Sequence, residues 1–115
     1  MVESTDLTEL VKHAQRGNED SRNRLAELIR PRLYSYVQRM SLRHDVTEDI
    51  VQESMIEMLR FLDKLERADR FWPWLRRIAI NKLHHHHARQ KTRHAMSMED
   101  VQHTLAHDNS QEGFA

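Results

Sequence analysis

The chain has 115 residues, a formal net charge of zero at neutral pH and no cysteine. This length suits one domain with a modest core, and the lack of cysteine excludes a disulfide framework and any cysteine-ligated zinc. No signal peptide opens the chain and no apolar run could cross a membrane, so we expect a cytoplasmic protein without a membrane partner. With only two glycines and two prolines, turn chemistry is scarce. The composition predicts an all-α fold, a compact bundle of about four helices.

Two helices are predicted in the first 41 residues. The first carries apolar residues at helical spacing and is expected to end at Gly17 and Asn18, because both tolerate the left-handed backbone. The second begins near residues 19–21, and Pro31 inside it predicts a kink or a break. Its predicted apolar stripe comprises Leu25, Leu28, Ile29, Leu33, Tyr36, Val37 and Met40. The arginines on its other side, Arg22, Arg24, Arg30, Arg32 and Arg39, could attract nucleic acid, but we interpret them as solvated.

A third helix is expected to open at Asp45, a good N-cap with Glu48 three residues later. Its apolar stripe comprises Val51, Met55, Met58, Leu59 and Leu62. We label this predicted third helix α3, and the row on its side away from the stripe is called the α3 strip: Asp49, Gln52, Glu53 and Glu57. Like charges four residues apart repel each other, and a cationic partner would relieve that repulsion. A solvated acidic face would tolerate it equally.

The fourth helix follows a charged loop over residues 63–70. Pro73 suits its first turn, where a missing N–H has no cost. Its core side is expected to comprise Leu75, Ile78, Ala79 and Leu83, with Trp72 or Trp74 at the edge. We expect it to fray by about Thr92. Residues 94–115 are expected to form a polar acidic tail or linker, which its low hydrophobicity predicts to be disordered. The predicted domain therefore spans residues 1–93.

The strongest positive charge lies around the two tryptophans. Residues 67–93 contain eight Lys/Arg and one acid, whereas residues 45–66 contain seven acids and two basic residues. Cations beside aromatic rings are typical of a surface that meets single-stranded nucleic acid. The alternative is a helix whose rings are core and whose arginines are only solvated.

Three segments carry a resemblance to a known family. TEDIVQESM, residues 47–55, is similar to the A-E-D-L-V-Q-E-T-F helix of region 2 in bacterial extracytoplasmic-function sigma factors. FWPWLRRIAIN, residues 71–81, resembles the family's F-x-x-W-L-Y-R-I-A-R-N, and RPRLY, residues 30–34, resembles A-P-R-L-Y. The chain departs from the pattern at Arg76, where the family usually has tyrosine. The resemblance covers about residues 7–93.

The resemblance implies a helical domain that binds core RNA polymerase, through the clamp helices of its largest subunit, and promoter DNA at the minus-ten element. It would assign Asp49, Gln52, Glu53 and Glu57 to polymerase binding. It would assign to DNA binding Lys64, Arg67, Arg70, Arg76, Arg77, Asn81, Lys82 and Arg89. Trp74, Leu75, Ile78 and Ala79 match positions that mainly hold the fold. An anti-sigma factor is a further candidate partner.

The run of four histidines, His84 to His87, is not explained by the resemblance. Consecutive side chains point round most of a helix, so they cannot all reach one ion; His84 and His87 would need a third ligand such as His94. We expect no metal site and no cofactor, and we interpret the run as a helix end that contacts phosphates when protonated. Because no nucleophile–base pair or phosphate-binding glycine loop can be assembled, we do not expect an enzyme.

Two alternatives stay open. A helical protein-interaction domain without DNA binding would not need the cationic segment beside the tryptophans. A stand-alone DNA-binding regulator would be expected to have the short glycine-containing turn of a helix-turn-helix, which the fourth helix lacks. No segment after Arg93 resembles the domain that binds the minus-thirty-five element, so that domain is expected to be absent.

Overall fold

The structure is a computed structural model that describes residues 4–97, with side chains described for residues 6–93. It contains α1 (Ser4–Gln15), α2 (Glu19–Ser41), α3 (His44–Phe61) and α4 (Phe71–Ser97). Two short 3-10 turns, Leu62–Lys64 and Ala68–Arg70, lie in the α3–α4 loop, residues 62–70. No strand occurs within residues 4–97, so the predicted all-α, four-helix architecture is confirmed. The chain divides into two units, residues 1–79 and 80–115, and the division falls within α4.

Only one residue of the α1–α2 turn is left-handed. Gly17 has φ +90°, whereas Asn18 has φ −72° and caps α2, its side-chain oxygen accepting from the Ser21 amide at 2.8 Å. The predicted end of α1 at this turn is confirmed, and the side chain of Asn18 also satisfies one of the first, otherwise unpaired, amides of α2. The predicted start of α2 is confirmed.

Helix α2 is not broken at Pro31. It continues from Glu19 to Ser41, so the prediction of a break is wrong. Proline leaves the carbonyl of Glu27 without its helical donor. Both residues are exposed, and water can hydrate that carbonyl at little cost.

The buried stripe of α2 is narrower than predicted. Leu25, Ile29, Leu33 and Val37 are buried, one every four residues. Leu28 and Met40, both predicted as core, are 37% and 38% exposed. Leu28 lines an open cleft of about 740 Å³ between α1, α2 and the start of α4, with Leu7 and Trp72 among the other walls.

Helix α3 begins at His44, one residue before Asp45, the predicted N-cap. Leu42 is left-handed (φ 59°), and the Arg43 carbonyl accepts from the Thr47 amide at 3.0 Å, which makes Arg43 the N-cap. The expectation that Asp45 caps the helix is wrong, because its carboxylate lies in the first turn and accepts from the Arg43 guanidinium at 3.1 Å.

The predicted core of α3 and α4 is largely as expected. In residues 1–79 the fully buried side chains of these helices include Ile50, Met58, Phe71 and Leu75, and Ile78 and Ala79 are also buried. Leu59, predicted as core, is only half-buried. Phe71 is 1% exposed and anchors the first turn of α4.

In the second unit α4 continues to Ser97, beyond the expected fraying at Thr92, and Leu83 is buried as predicted. The domain boundary at residue 93 stays a prediction, and residues 98–115 of the predicted tail lie outside the described part. Across the described residues, no helix is both long and apolar enough to span a bilayer.

Candidate functional site

The α3 strip lies on the exposed side of its helix. Asp49, Gln52 and Glu53 are exposed and Glu57 is half-buried. The opposite side is fixed by buried Val51, Met55 and Met58. Because the core side holds the helix in one rotational setting, the strip faces solvent as a row of acceptors. Its chemistry suits a basic protein surface.

An exposed apolar residue that sequence reasoning missed lies beside the α3 strip. Ile56 is 53% exposed and lies one turn after Gln52 and Glu53. The sequence could have indicated this exposure, because Ile56 follows Glu53 by three positions and Gln52 by four, and this spacing places it on their side of the helix. An apolar side chain beside a charged strip gives a partner something to bury as well as something to pair with.

The α3–α4 loop is held by buried residues at its two turns. Leu62 is fully buried and Ala68 nearly so, while Lys64, Arg67 and Arg70 are all exposed. The side-chain amide of Gln15, on α1, donates to the carbonyls of Leu62 and Leu65 at 3.0 and 2.8 Å. The loop therefore presents its three predicted DNA-binding cations on a fixed backbone.

One of these cations has a partner in the loop itself. Nε and Nη2 of Arg67 donate to the two carboxylate oxygens of Asp69 at 3.2 and 2.8 Å. The hydrogen bonds from Arg67 hold the pKa of Asp69 below its ordinary value. Asp69 is thus a carboxylate at neutral pH and occupies the guanidinium that a phosphate would bind.

Arg76 lies in a cluster of rings and cations, whereas its neighbour Arg77 is exposed. Its guanidinium is 5.8 Å from the ring centre of Tyr36 and 6.0 Å from that of Trp72. Arg32 lies 4.2 Å from the same Trp72 ring, which meets Tyr36 edge to face at 5.9 Å. Sequence reasoning read Arg32 as merely solvated and missed this cluster. The sequence could have indicated the cluster, because a cation and a ring lie four residues apart on each helix: Arg32 and Tyr36 on α2, Trp72 and Arg76 on α4.

Other predicted residues of α4 have simpler surroundings. Arg77 is exposed, and Trp74, half-buried, contacts the ring of buried Phe71 at 6.0 Å between centres. In the second unit Asn81 and Arg89 are exposed and Lys82 is half-buried. Arg77, Asn81 and Arg89 are thus accessible to solvent, and Trp74 has the mainly structural position expected.

The histidine run lies in the second unit. His85 and His87 are exposed, and His84 and His86 half-buried. Partial desolvation, followed by the charges of His86, His84 and Lys91, lowers the pKa of His87. Among the described residues, no group of three or more His, Cys, Asp or Glu side chains could hold a metal ion. His94, the suggested third ligand, lies outside the described side chains.

These observations define a class: an all-α binding domain with an acidic strip on one helix and cations beside aromatic rings on another. The sigma-70 region 2 family model matches residues 25–94, and the chain belongs to this family. The predicted resemblance is confirmed.

Curated relatives of the chain are extracytoplasmic-function RNA polymerase sigma-E factors. Those of Salmonella typhimurium strain LT2 and Escherichia coli K12 are 38% and 36% identical over 80 residues, which is 68% of this chain and 41% of each relative. That of Haemophilus influenzae is 31% identical over 81 residues, 70% of this chain and 42% of the relative. The chain thus spans about two fifths of these relatives' length. No solved structure matches it.

Proposed function

We propose that the chain works in transcription initiation as the sigma-factor domain that binds core RNA polymerase and recognises and melts the promoter minus-ten element. The observation that carries the proposal is the chemical separation of two exposed surfaces in the first unit. The α3 strip is acidic around exposed Ile56, while the loop and the start of α4 present Lys64, Arg70 and Arg77. Such a domain needs no catalytic group.

Polymerase binding is assigned to the α3 strip. Its carboxylates suit a basic helical surface such as the clamp helices of the largest subunit, and Ile56 adds apolar area beside it. Acidic residues steer the approach of a basic partner, whereas Ile56, once covered by that partner, would slow dissociation. An anti-sigma factor that covered this strip would block polymerase, and that partner stays a prediction.

Promoter binding is assigned to the loop and α4. Exposed cations attract the phosphates of both duplex and single strands, and unpaired bases gain about 1–3 kcal/mol each from stacking on aromatic side chains. The half-buried rings of Trp72 and Tyr36, with Arg32 and Arg76 against them, suit such stacking. Asn81, in the second unit, adds an amide that can pair with a base edge.

The polymerase assignment is tested by retention of core RNA polymerase on the immobilised protein. Asp49→Arg combined with Glu53→Arg is expected to abolish retention, because both substitutions oppose a basic partner. The matched control reverses two exposed acids of α2, Glu19→Arg with Glu27→Arg, and should retain polymerase. Equal retention by both double variants and the wild type would refute the assignment.

The DNA assignment is tested with single-stranded DNA in the presence of core polymerase. Arg77→Ala and Asn81→Ala are each expected to weaken binding, whereas Arg24→Ala, an exposed arginine of α2, should not. Undiminished binding by both α4 variants would favour the alternative of a protein-interaction domain without DNA contacts.

A further inference from the structure

The side chain of Gln15 bridges α1 to the backbone of the α3–α4 loop. Its single amide nitrogen donates to the Leu62 carbonyl at 3.0 Å and to the Leu65 carbonyl at 2.8 Å. An amide NH₂ group has two hydrogens, so both are used. The two carbonyls lie on either side of Lys64, and the site is part-buried.

The segment that Gln15 holds has little hydrogen bonding of its own. Within the described part, the backbone bonds internal to the loop are Leu65 N–H to Leu62 O at 3.2 Å and Arg70 N–H to Arg67 O at 2.9 Å. Each closes one 3-10 turn. Between the turns the backbone is extended at Leu65 (ψ 115°) and Arg67 (ψ 105°), and no ladder fixes it. Gln15 ties the start of this segment to a helix.

A neighbouring contact differs in kind. Arg22 donates to the Leu59 carbonyl at 2.7 Å, and that carbonyl belongs to the last turn of α3. A cation there satisfies a free helix carbonyl and complements the helix dipole. It stabilises a helix end that α3 already defines, whereas Gln15 acts on backbone without regular structure.

We infer that Gln15 is a positioning residue: it holds the α3–α4 loop in the one backbone shape that reads unpaired promoter bases. The inference rests on the proposed function. A loop that visits several shapes binds with its affinity reduced by the fraction in the competent shape, and it discriminates less between bases because misplaced groups suit several of them. The interaction joins α1 to base recognition, although α1 supplies none of the predicted DNA-binding residues.

The test measures base preference. Single-stranded DNA 12-mers randomised at every position are incubated with the protein and core polymerase, and the retained strands are sequenced. Gln15→Met keeps the length and helix propensity of the side chain but removes both donors. Gln15→Lys restores donors through its ammonium group. Val37→Ala, in the buried stripe of α2, is the control for general loss of stability.

We expect the wild type to enrich particular bases and Gln15→Met to lose about tenfold of that enrichment, as two lost hydrogen bonds allow. Amide exchange should quicken at residues 62–70 and little elsewhere. Gln15→Lys and Val37→Ala should keep the preference, and polymerase retention should be unchanged in all three variants.

Three results would overturn the inference. A preference kept in full by Gln15→Met would show that the loop needs no such support. An equal loss in Val37→Ala would show that general stability is responsible. A wild type that binds polymerase but enriches no base would remove the proposed function itself, and this outcome is distinguishable because the first two require a wild-type preference.

Discussion

The guanidinium of Arg67 and the carboxylate of Asp69 form a two-point pair within the α3–α4 loop, at 3.2 and 2.8 Å. Asp69 is the one acid among residues 67–93, where eight basic residues make the segment strongly positive. The pair sets the guanidinium plane, but it also fills the hydrogen-bonding edge that a phosphate would use. Loss of the acid should therefore strengthen DNA binding.

Asp69→Asn is expected to tighten binding of single-stranded DNA roughly two- to fivefold at low salt, because it frees Arg67 for a phosphate. The slope of log K against log salt should steepen by roughly 0.7, as for one added contact to a single strand. Asp63→Asn makes the same charge change in the first turn of the loop and is the control. Equal effects of the two variants would contradict a specific release of Arg67.

Ile56→Ser is expected to weaken polymerase binding by about 1 kcal/mol, roughly fivefold, because about half of the side chain remains to be buried by a partner. The side chain is 53% exposed, and loss of the part that the domain already buries should lower its own free energy of unfolding by a similar ~1 kcal/mol, so affinity is compared under conditions in which both proteins are folded. Fluorescence anisotropy with labelled protein and core polymerase would measure the affinity.

The control for that prediction is Phe61→Ser, since Phe61 is 41% exposed on the same helix but outside the α3 strip. It should leave polymerase binding unchanged. A larger loss for Phe61→Ser than for Ile56→Ser would place the docking surface elsewhere on α3.

Ser54→Ala is expected to raise the free energy of unfolding by about 1 kcal/mol. Within the described residues, the Ser54 hydroxyl is the buried side-chain atom for which no hydrogen-bond partner is found. Alanine removes that unmet group and has the higher helix propensity. Urea unfolding followed by circular dichroism would measure the change.

Thr47→Val is the matched comparison, because Thr47 is equally buried but its hydroxyl lies 2.6 Å from Ser41 Oγ, 2.7 Å from Gln38 Oε1 and 2.8 Å from the Arg43 carbonyl. It should destabilise the domain by about 1–3 kcal/mol, since its partners are left unsatisfied. A stabilising Thr47→Val, or a clearly destabilising Ser54→Ala, would contradict this assignment of the two hydroxyls.

The sequence predicted what periodicity controls, but it did not decide the role of a residue that suits two kinds of helix end. Regular spacing identified buried Leu75, Ile78 and Ala79, and the four helices with them. It could not show that Asn18 caps the following helix rather than ending the preceding one, since both roles favour the same residue type.

Long-range contacts were beyond periodicity. The bonds of Gln15 span 47 and 50 residues, and no local pattern encodes such a pairing. Arg32 illustrates the same limit. The apolar pattern of α2 predicts that Arg32 lies on a solvated face, and its contact with Trp72 forms only when α2 packs near α4.

The histidine run is expected to make DNA binding depend on pH. Histidines that gain a proton add positive charge to a segment already containing Lys82 and Lys91, so affinity for single-stranded DNA should increase as pH falls from 8 to 5.5. Since partial desolvation and the charges of His86, His84 and Lys91 lower the pKa of His87 below 6.5, its own contribution should arrive in the lower part of that range.

Replacing His84 to His87 by glutamine should remove the pH-dependent part and leave the affinity at pH 8 nearly unchanged. Binding that is flat with pH in the wild type, or a pH dependence that survives the four replacements, would show that these histidines do not contact the phosphates.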